Sequence, residues 1–283
     1  MKPFDVFEPS TLQEALDLLH EYGDKAKVLA GGTDLAVQMK EGKAHPQAVI
    51  HLGRLKDLVF VEVTSGLRVG PMTLLRTIAT HPLFSGPLSI LREAALAVGD
   101  PQIRNRATLG GNLANGSPSA DSAPALLTLD ATVRLRKKGG ERTVRLEDFY
   151  RGPFLTQCEP DELITEISVP SIPKGGGTYL WMPKRTSVDE TLVGVAAWVT
   201  MDSEKRICLN ASLAVNSVSP VPMRLKKAET FLQGKALDGD HLRVAAEIAA
   251  EEVSPRSRGE YRKRIISVLV EKALEKAWER AEG

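Results

Sequence analysis

The densest chemistry in this sequence lies in Thr108-Leu109-Gly110-Gly111-Asn112-Leu113-Ala114-Asn115-Gly116-Ser117-Pro118-Ser119-Ala120-Asp121, a stretch without helical or strand periodicity but rich in small and short polar residues. Gly110 and Gly111 carry no Cβ and can take φ > 0, so their N–H groups can close around an anion. Asn112, Asn115, Ser117 and Asp121 add short donors and acceptors that reach backbone or a ligand with little rotamer entropy to lose. The apolar run 123–129 predicts a short helix with Ser119 or Asp121 near its start, and a glycine pair feeding a helix N-terminus suits phosphate.

A second glycine pair repeats the device. Val28-Leu29-Ala30-Gly31-Gly32-Thr33-Asp34-Leu35 reads as an apolar strand running into Gly-Gly-Thr and then a helical turn. A lone Gly-Gly is most often only a tight turn. Two pairs, with the polar followers Thr33-Asp34 and Asn112, argue instead for one ligand carrying a diphosphate.

Composition excludes several alternatives. The 283 residues are 42% hydrophobic, enough for a sizeable core in two or three domains. Lys and Arg number 37 against 36 Asp and Glu, so bulk charge offers nothing to nucleic acid or an anionic membrane. The longest apolar run, 192–201, is too short to span a bilayer. Lys2, Asp5 and Glu8 around Phe4 and Phe7 leave no signal-peptide core, so the expected location is the cytoplasm. Cys158 and Cys208 stand alone, which rules out a four-thiolate cluster, and His20, His45, His51, His81 and His241 are scattered, so no metal site is expected. No G-x-S-x-G, G-x-x-x-x-G-K-[ST] or G-x-G-x-x-G occurs, which removes the serine hydrolase, P-loop and Rossmann readings.

The elements that must position these loops follow from periodicity. Ser10 with Gln13 predicts a capping box, with Leu12, Ala15, Leu16 and Leu19 on one helical face before Gly23 stops it. Strands at 27–30 and 48–52 flank the first glycine loop and its helix as a small β-α-β lobe. A second lobe starts with a hairpin at 58–63 and 67–69, followed by helices at 73–80 and 88–98. A hairpin at 132–137 and 142–146 and a strand at 163–169 complete it before the Pro- and Gly-rich hinge 170–177. Strands at 178–184, 192–200 and 207–215 then precede helices at 222–232, 241–251 and 259–281. The fold class is α+β.

Ala30-Gly31-Gly32-Thr33-Asp34-Leu35, Ile103-Arg104-Asn105, and Thr108-Leu109-Gly110-Gly111-Asn112 through Asp121-Ser122-Ala123-Pro124 resemble the FAD-binding subunit of molybdenum hydroxylases. That family includes the medium subunit of aerobic carbon monoxide dehydrogenase and the flavin domain of xanthine dehydrogenase, and the resemblance runs over essentially the whole chain. It implies a two-lobed FAD-binding domain of the p-cresol methylhydroxylase and vanillyl-alcohol oxidase type, with lobes at 1–52 and 53–172. An α+β C-terminal domain of the carbon monoxide dehydrogenase flavoprotein type would occupy 173–283.

By the same resemblance, residues 28–35 and 108–112 supply backbone and side-chain donors to the FAD diphosphate and ribityl chain. Asp121 contacts the cofactor, and Val98, Gly99 and Ile164 line the flavin or adenine. The implied mechanism is electron transfer. A large partner with a molybdenum cofactor oxidises substrate using water, a small partner with 2Fe-2S clusters relays electrons, and FAD here collects them for an external acceptor, in a dimer of heterotrimers. Substrate choice would then sit in the molybdenum partner. Such a flavin site needs no nucleophile or metal of its own.

Two positions depart from the family pattern. Trp181-Met182 stand where a lysine is common, so Lys184 or Arg185 is expected to supply the cation beside the flavin, or else to be a solvated strand-end charge. Glu190 stands where an aromatic or apolar residue often follows the aspartate matching Asp189. Two other functional classes stay open. A self-sufficient FAD reductase or oxidase would need its own acid or base, for which Tyr150, Tyr179 and His51 form no recognisable constellation. A non-catalytic nucleotide-binding module is the other.

Overall fold

A computed structural model of the chain describes residues 2–186, 189–202, 204 and 207–282. Its first lobe is a parallel sheet in the order Asp5–Phe7, Ala48–His51, Ala26–Leu29, covered by the helix Leu12–Tyr22. Ala15, Leu16 and Leu19 face Ala26, Ala48 and Ile50, as the helical spacing predicts. The cap sits one residue later than Ser10-Gln13 suggests. Glu14 N donates to Thr11 Oγ1 at 3.2 Å while the Glu14 carboxylate accepts from Ser10 N at 2.7 Å. Gly23, at φ +49°, ends the helix. The strand Asp5–Phe7 is not visible in the sequence because three mostly exposed residues carry no alternation.

The second lobe is a five-stranded antiparallel sheet, in the order Val61–Val63, Leu67–Val69, Leu163–Val169, Thr132–Lys137, Gly140–Arg145. Its hairpin starts at Val61 rather than at 58, because Leu55 and Leu58, three residues apart, both turn into the first core. The helices Leu75–Thr80, Ser89–Ala97 and Ser122–Thr128 bury their apolar faces in the second core.

The C-terminal sheet runs Gly176–Pro183, Thr191–Asp202, Ile207–Asn216, Met223–Arg224. Alternate residues go to opposite layers. Tyr179, Ala196, Trp198 and Ala214 join the second-lobe core, while Val195, Ala197, Val199, Leu213 and Val215 meet the core of the helices Lys226–Leu232, Gly239–Glu252 and Gly259–Glu282. Burial on both faces explains the unbroken apolar run at 192–201. Met223–Arg224 is strand, not the start of a helix at 222. Arg224, 9% exposed, is held by Glu229 at 2.5 Å, Asp130 at 2.9 Å and Ser212 Oγ at 3.0 Å, which ties the strand to the helix after it.

One carboxylate clasps the layers together. Glu93, on Ser89–Ala97, accepts from Thr178 Oγ1 at 2.8 Å, Tyr179 N at 2.9 Å and Arg280 Nη2 at 2.6 Å. Burial works to raise its carboxyl, but Arg280, Tyr179 N–H and Thr178 outweigh that and hold it below its ordinary range. A carboxyl depressed in the folded chain contributes stability that is complete above its ordinary value of 4.5 and is lost as the pH falls toward the lower folded value. Glu93→Gln is therefore expected to lower unfolding stability by about 2 kcal/mol at neutral pH, measured in urea. The wild-type and variant stability curves should converge on acidification below 4.5, and curves that stay parallel there would contradict the clasp.

Candidate functional site

The first glycine motif leaves the strand Ala26–Leu29 at its C-terminal end and enters the helix Leu35–Lys40. Val28, Leu29, Ala30, Gly31, Gly32, Thr33 and Leu35 are half-buried and Asp34 is exposed. Gly32 takes φ +79°, the left-handed region that glycine enters without steric penalty. The carbonyls of Gly32 and Asp34 accept from Ala36 N at 3.1 Å and Gln38 N at 2.9 Å. Among the described residues, the N–H groups from Gly31 to Leu35 donate to no protein acceptor.

The second motif is built differently from the expectation. Residues 109–114 form a helix, Leu109–Ala114, capped by Thr108. Neither Gly110 nor Gly111 takes φ > 0. Their donors are already used: Leu109 N goes to Thr73 O at 3.0 Å, Gly110 N to Pro71 O at 2.9 Å, Gly111 N to Thr108 Oγ1 at 3.1 Å and Asn112 N to Thr108 O at 3.0 Å. The backbone donors of residues 109–112 are thus spent inside the protein. What the glycines provide is close approach. A Cβ on Gly110 would fall 2.5 Å from Pro71 Cβ, and one on Gly111 would face Thr108 Oγ1 at 3.0 Å and Ala30 Cβ at 3.7 Å.

The two motifs meet along one seam. A Cβ on Gly31 would lie 2.0 Å from Arg106 O, and Gln38 Nε2 donates to Asn115 Oδ1 at 3.1 Å. The seam combines a run of unpaired N–H groups with glycine surfaces, a donor set that suits the diphosphate of a dinucleotide.

The remaining candidates are placed around this seam and the domain junction. Gly99 takes φ +50°, and Arg104 Nη1 holds the turn through Leu96 O at 3.2 Å, Val98 O at 3.0 Å and Gly99 O at 2.7 Å. Ile164 is buried in the second core beside a register shift in the central strand. Asp121 precedes the helix Ser122–Thr128 but makes no side-chain cap. Instead Asp121 Oδ1 accepts from Tyr179 O–H at 2.6 Å and Asn216 Nδ2 at 3.0 Å. Burial pushes the Asp121 carboxyl up, against the pull of Tyr179, Thr191 and Asn216. Lys184 pairs with Glu190, and Arg185 with Asp189 at 2.9 Å, so both candidate flavin cations are neutralised within their own strand end. Trp181 stacks on Tyr179, ring centroids 6.1 Å apart.

Sequence reasoning missed Asn216 and Gln38 as partners of the site and Tyr179 as a partner of Asp121, because these contacts close over 95, 77 and 58 residues. Gly194, alone in the apolar strand Thr191–Asp202, was the one legible sign of a close approach. The acid–base candidates do not assemble. His51 pairs with Glu8 at 3.0 Å in the first lobe, the Tyr150 hydroxyl is buried without a partner, and burial raises the Tyr179 phenol well above its ordinary value. Among the described residues, no His, Cys, Asp and Glu cluster could hold a metal ion, and no helix is long and apolar enough to cross a membrane.

Comparison with known proteins agrees with this geometry. Residues 2–172 match the family described as the FAD binding domain in molybdopterin dehydrogenase, and 178–277 match the CO dehydrogenase flavoprotein C-terminal domain. The chain is 34% identical over 285 residues to the carbon monoxide dehydrogenase medium chain of Afipia carboxidovorans, covering 99% of this chain and 98% of that one. It is 32% identical over 294 residues to the nicotinate dehydrogenase FAD-subunit of Eubacterium barkeri, covering 100% and 99%. A solved Cu,Mo-CO dehydrogenase in its cyanide-inactivated form contains a chain that superposes with a TM-score of 0.93 at 33% identity, over 99% of this chain and 100% of that one. The α+β architecture is therefore that of the two-lobed FAD-binding fold with its flavoprotein C-terminal domain, and FAD is its cofactor. The chain belongs to the FAD-binding subunits of the molybdenum hydroxylases, a family of oxidoreductases that includes the carbon monoxide dehydrogenase medium chain.

Proposed function

We propose that this chain is the electron-transfer subunit of a molybdenum hydroxylase complex. It receives electrons from 2Fe-2S clusters of a small partner, which drains a large partner carrying the molybdenum cofactor, and delivers them to an external acceptor. The assembly we propose is a dimer of heterotrimers in the cytoplasm, a reducing compartment that suits the free thiols Cys158 and Cys208. The observation that carries the reading is the run of N–H groups from Gly31 to Leu35 that meet no acceptor among the described residues, in the loop whose Gly31 packs on Arg106 O and whose Ala30 faces Gly111.

Bound FAD supplies a centre that takes up electrons and passes them on. The chain's own residues bind and orient it. Gly31, Gly32, Thr33, Asp34 and Leu35 offer their N–H groups to the diphosphate. Thr108, Gly110 and Gly111 bring the second motif close enough to shut water out, and Asn112 and Asn115 border the same seam. Asp121 would accept a hydrogen bond from a hydroxyl of the ribityl chain. Val98, Gly99 and Ile164 would line the flavin or adenine ring, with Val28 and Leu29 on the first-lobe strand end. Lys184, paired to Glu190, leaves little net charge at its strand end.

Purified protein should be yellow with close to one FAD per chain, and should co-purify with molybdenum and iron–sulfur polypeptides when expressed with its partners. Gly111→Val should abolish FAD retention while leaving a folded C-terminal domain. Its Cβ meets Thr108 Oγ1 at 3.0 Å and Ala30 Cβ at 3.7 Å, and valine has a higher helix propensity than the glycine it replaces. Stoichiometric FAD in that variant, read from the visible spectrum, would overturn the loop assignment. Stopped-flow mixing should show the flavin reduced rapidly by reduced iron–sulfur partner and not by an organic substrate added to this chain alone. Rapid bleaching of the isolated chain by such a substrate would favour a self-sufficient flavoenzyme.

A further inference from the structure

Asp121 closes the glycine-rich stretch of the second lobe, yet the side chains that hold it come from the C-terminal domain. Asp121 is 6% exposed, and Tyr179 and Asn216 are fully buried. Tyr179 and Asn216 both donate to Oδ1, and the Thr191 hydroxyl beside the carboxyl also lowers it. Tyr179 and Asn216 stand on the strands either side of Thr191–Asp202, and Gly194 on that middle strand lies beneath them. A Cβ at Gly194 would fall 2.1 Å from Asn216 Oδ1 and 2.2 Å from the Tyr179 hydroxyl oxygen. A glycine weakens a strand interior, so its presence here makes room for this pair. The clamp is fixed from behind. Glu93 binds Tyr179 N at 2.9 Å, and Ser217 N donates to Pro118 O at 2.7 Å, pinning the loop that leads to Asp121.

A buried carboxylate with polar partners is weak evidence for stability, because apolar residues of similar volume would hold the junction as well. We propose that Tyr179 and Asn216 are positioning residues for FAD, gripping Asp121 through one oxygen so that the other is presented to a hydroxyl of the cofactor. This rests on the Asp121 contact assigned under the proposed function. The charged and titratable groups near Asp121 are Tyr179 and Glu190, and Glu190 is in turn balanced by Lys184 and Arg262. Burial raises the Asp121 carboxyl, and Tyr179 opposes that rise. Removing the phenol hydroxyl should therefore move the acid limb of FAD binding to higher pH.

The test is a double-mutant cycle on FAD affinity, using the full chain stripped of FAD and titrated with it from acid to neutral pH. Tyr179→Phe is expected to weaken FAD about tenfold and to shift the acid limb up by about one pH unit, the value of one hydrogen bond. Asp121→Asn should weaken it more, and the double variant should bind no worse than Asp121→Asn alone. Losses that multiply, or wild-type affinity and pH profile in Tyr179→Phe, would overturn the proposal. If circular dichroism shows Tyr179→Phe unfolded, Asn216→Ala takes its place in the same cycle with the same outcomes. Should Asp121→Asn bind FAD like wild type, the cofactor contact itself fails and this inference with it. Should Asp121→Asn bind weakly while Tyr179→Phe and Asn216→Ala do not, only the positioning role fails.

Discussion

The site depends on two backbone segments approaching more closely than any side chain permits. Gly31 lies so near Arg106 O that a Cβ there would sit at 2.0 Å, and no rotamer could relieve that contact because the obstacle is main chain. This proximity fixes where the first lobe stands against the second. Among the described residues the Gly31 to Leu35 N–H groups beside this contact join no ladder. Everything else in the two lobes, from the parallel sheet under Leu12–Tyr22 to the central strand Leu163–Val169, serves to hold those loops in place.

The two glycine motifs are alike in sequence and unlike in use. At Gly31 and Gly32 the chain is a loop with free donors. At Gly110 and Gly111 it is a capped helical turn whose donors are consumed by Pro71 O and the Thr108 hydroxyl. One motif therefore presents polarity and the other presents a smooth surface. A diphosphate needs both, because donors without a close wall leave the anion in water, where each hydrogen bond contributes little net.

Much of the architecture was legible from periodicity. The strand at 163–169 and the helix ended by Gly23 read directly, since apolar spacing and a glycine stop are local features. The turn at 109–114 did not, because Gly-Gly-Asn has poor helix propensity and its acceptors, Thr73 O and Pro71 O, belong to a segment far back in the chain. Met223–Arg224 was hidden for a related reason: Arg224 is a buried ion-pair hub, and a charged residue beside Pro222 looks like a helix start. The site's wider shell was the least readable. Lys184 pairs with Glu190 across the hairpin, and Tyr179 meets Asp121 across 58 residues, contacts that no local pattern encodes.

The Glu93 clasp also bears on the order in which the molecule can be completed during synthesis. Arg280 reaches back 187 residues to Glu93, whose carboxylate also holds Tyr179 N. A chain emerging from the ribosome can build both glycine loops early, but the strand bearing Tyr179 lacks its anchoring arginine until the last long helix has left the exit tunnel. A nascent product cut short of that helix would hold Tyr179 N on Glu93 without the arginine that neutralises the carboxylate.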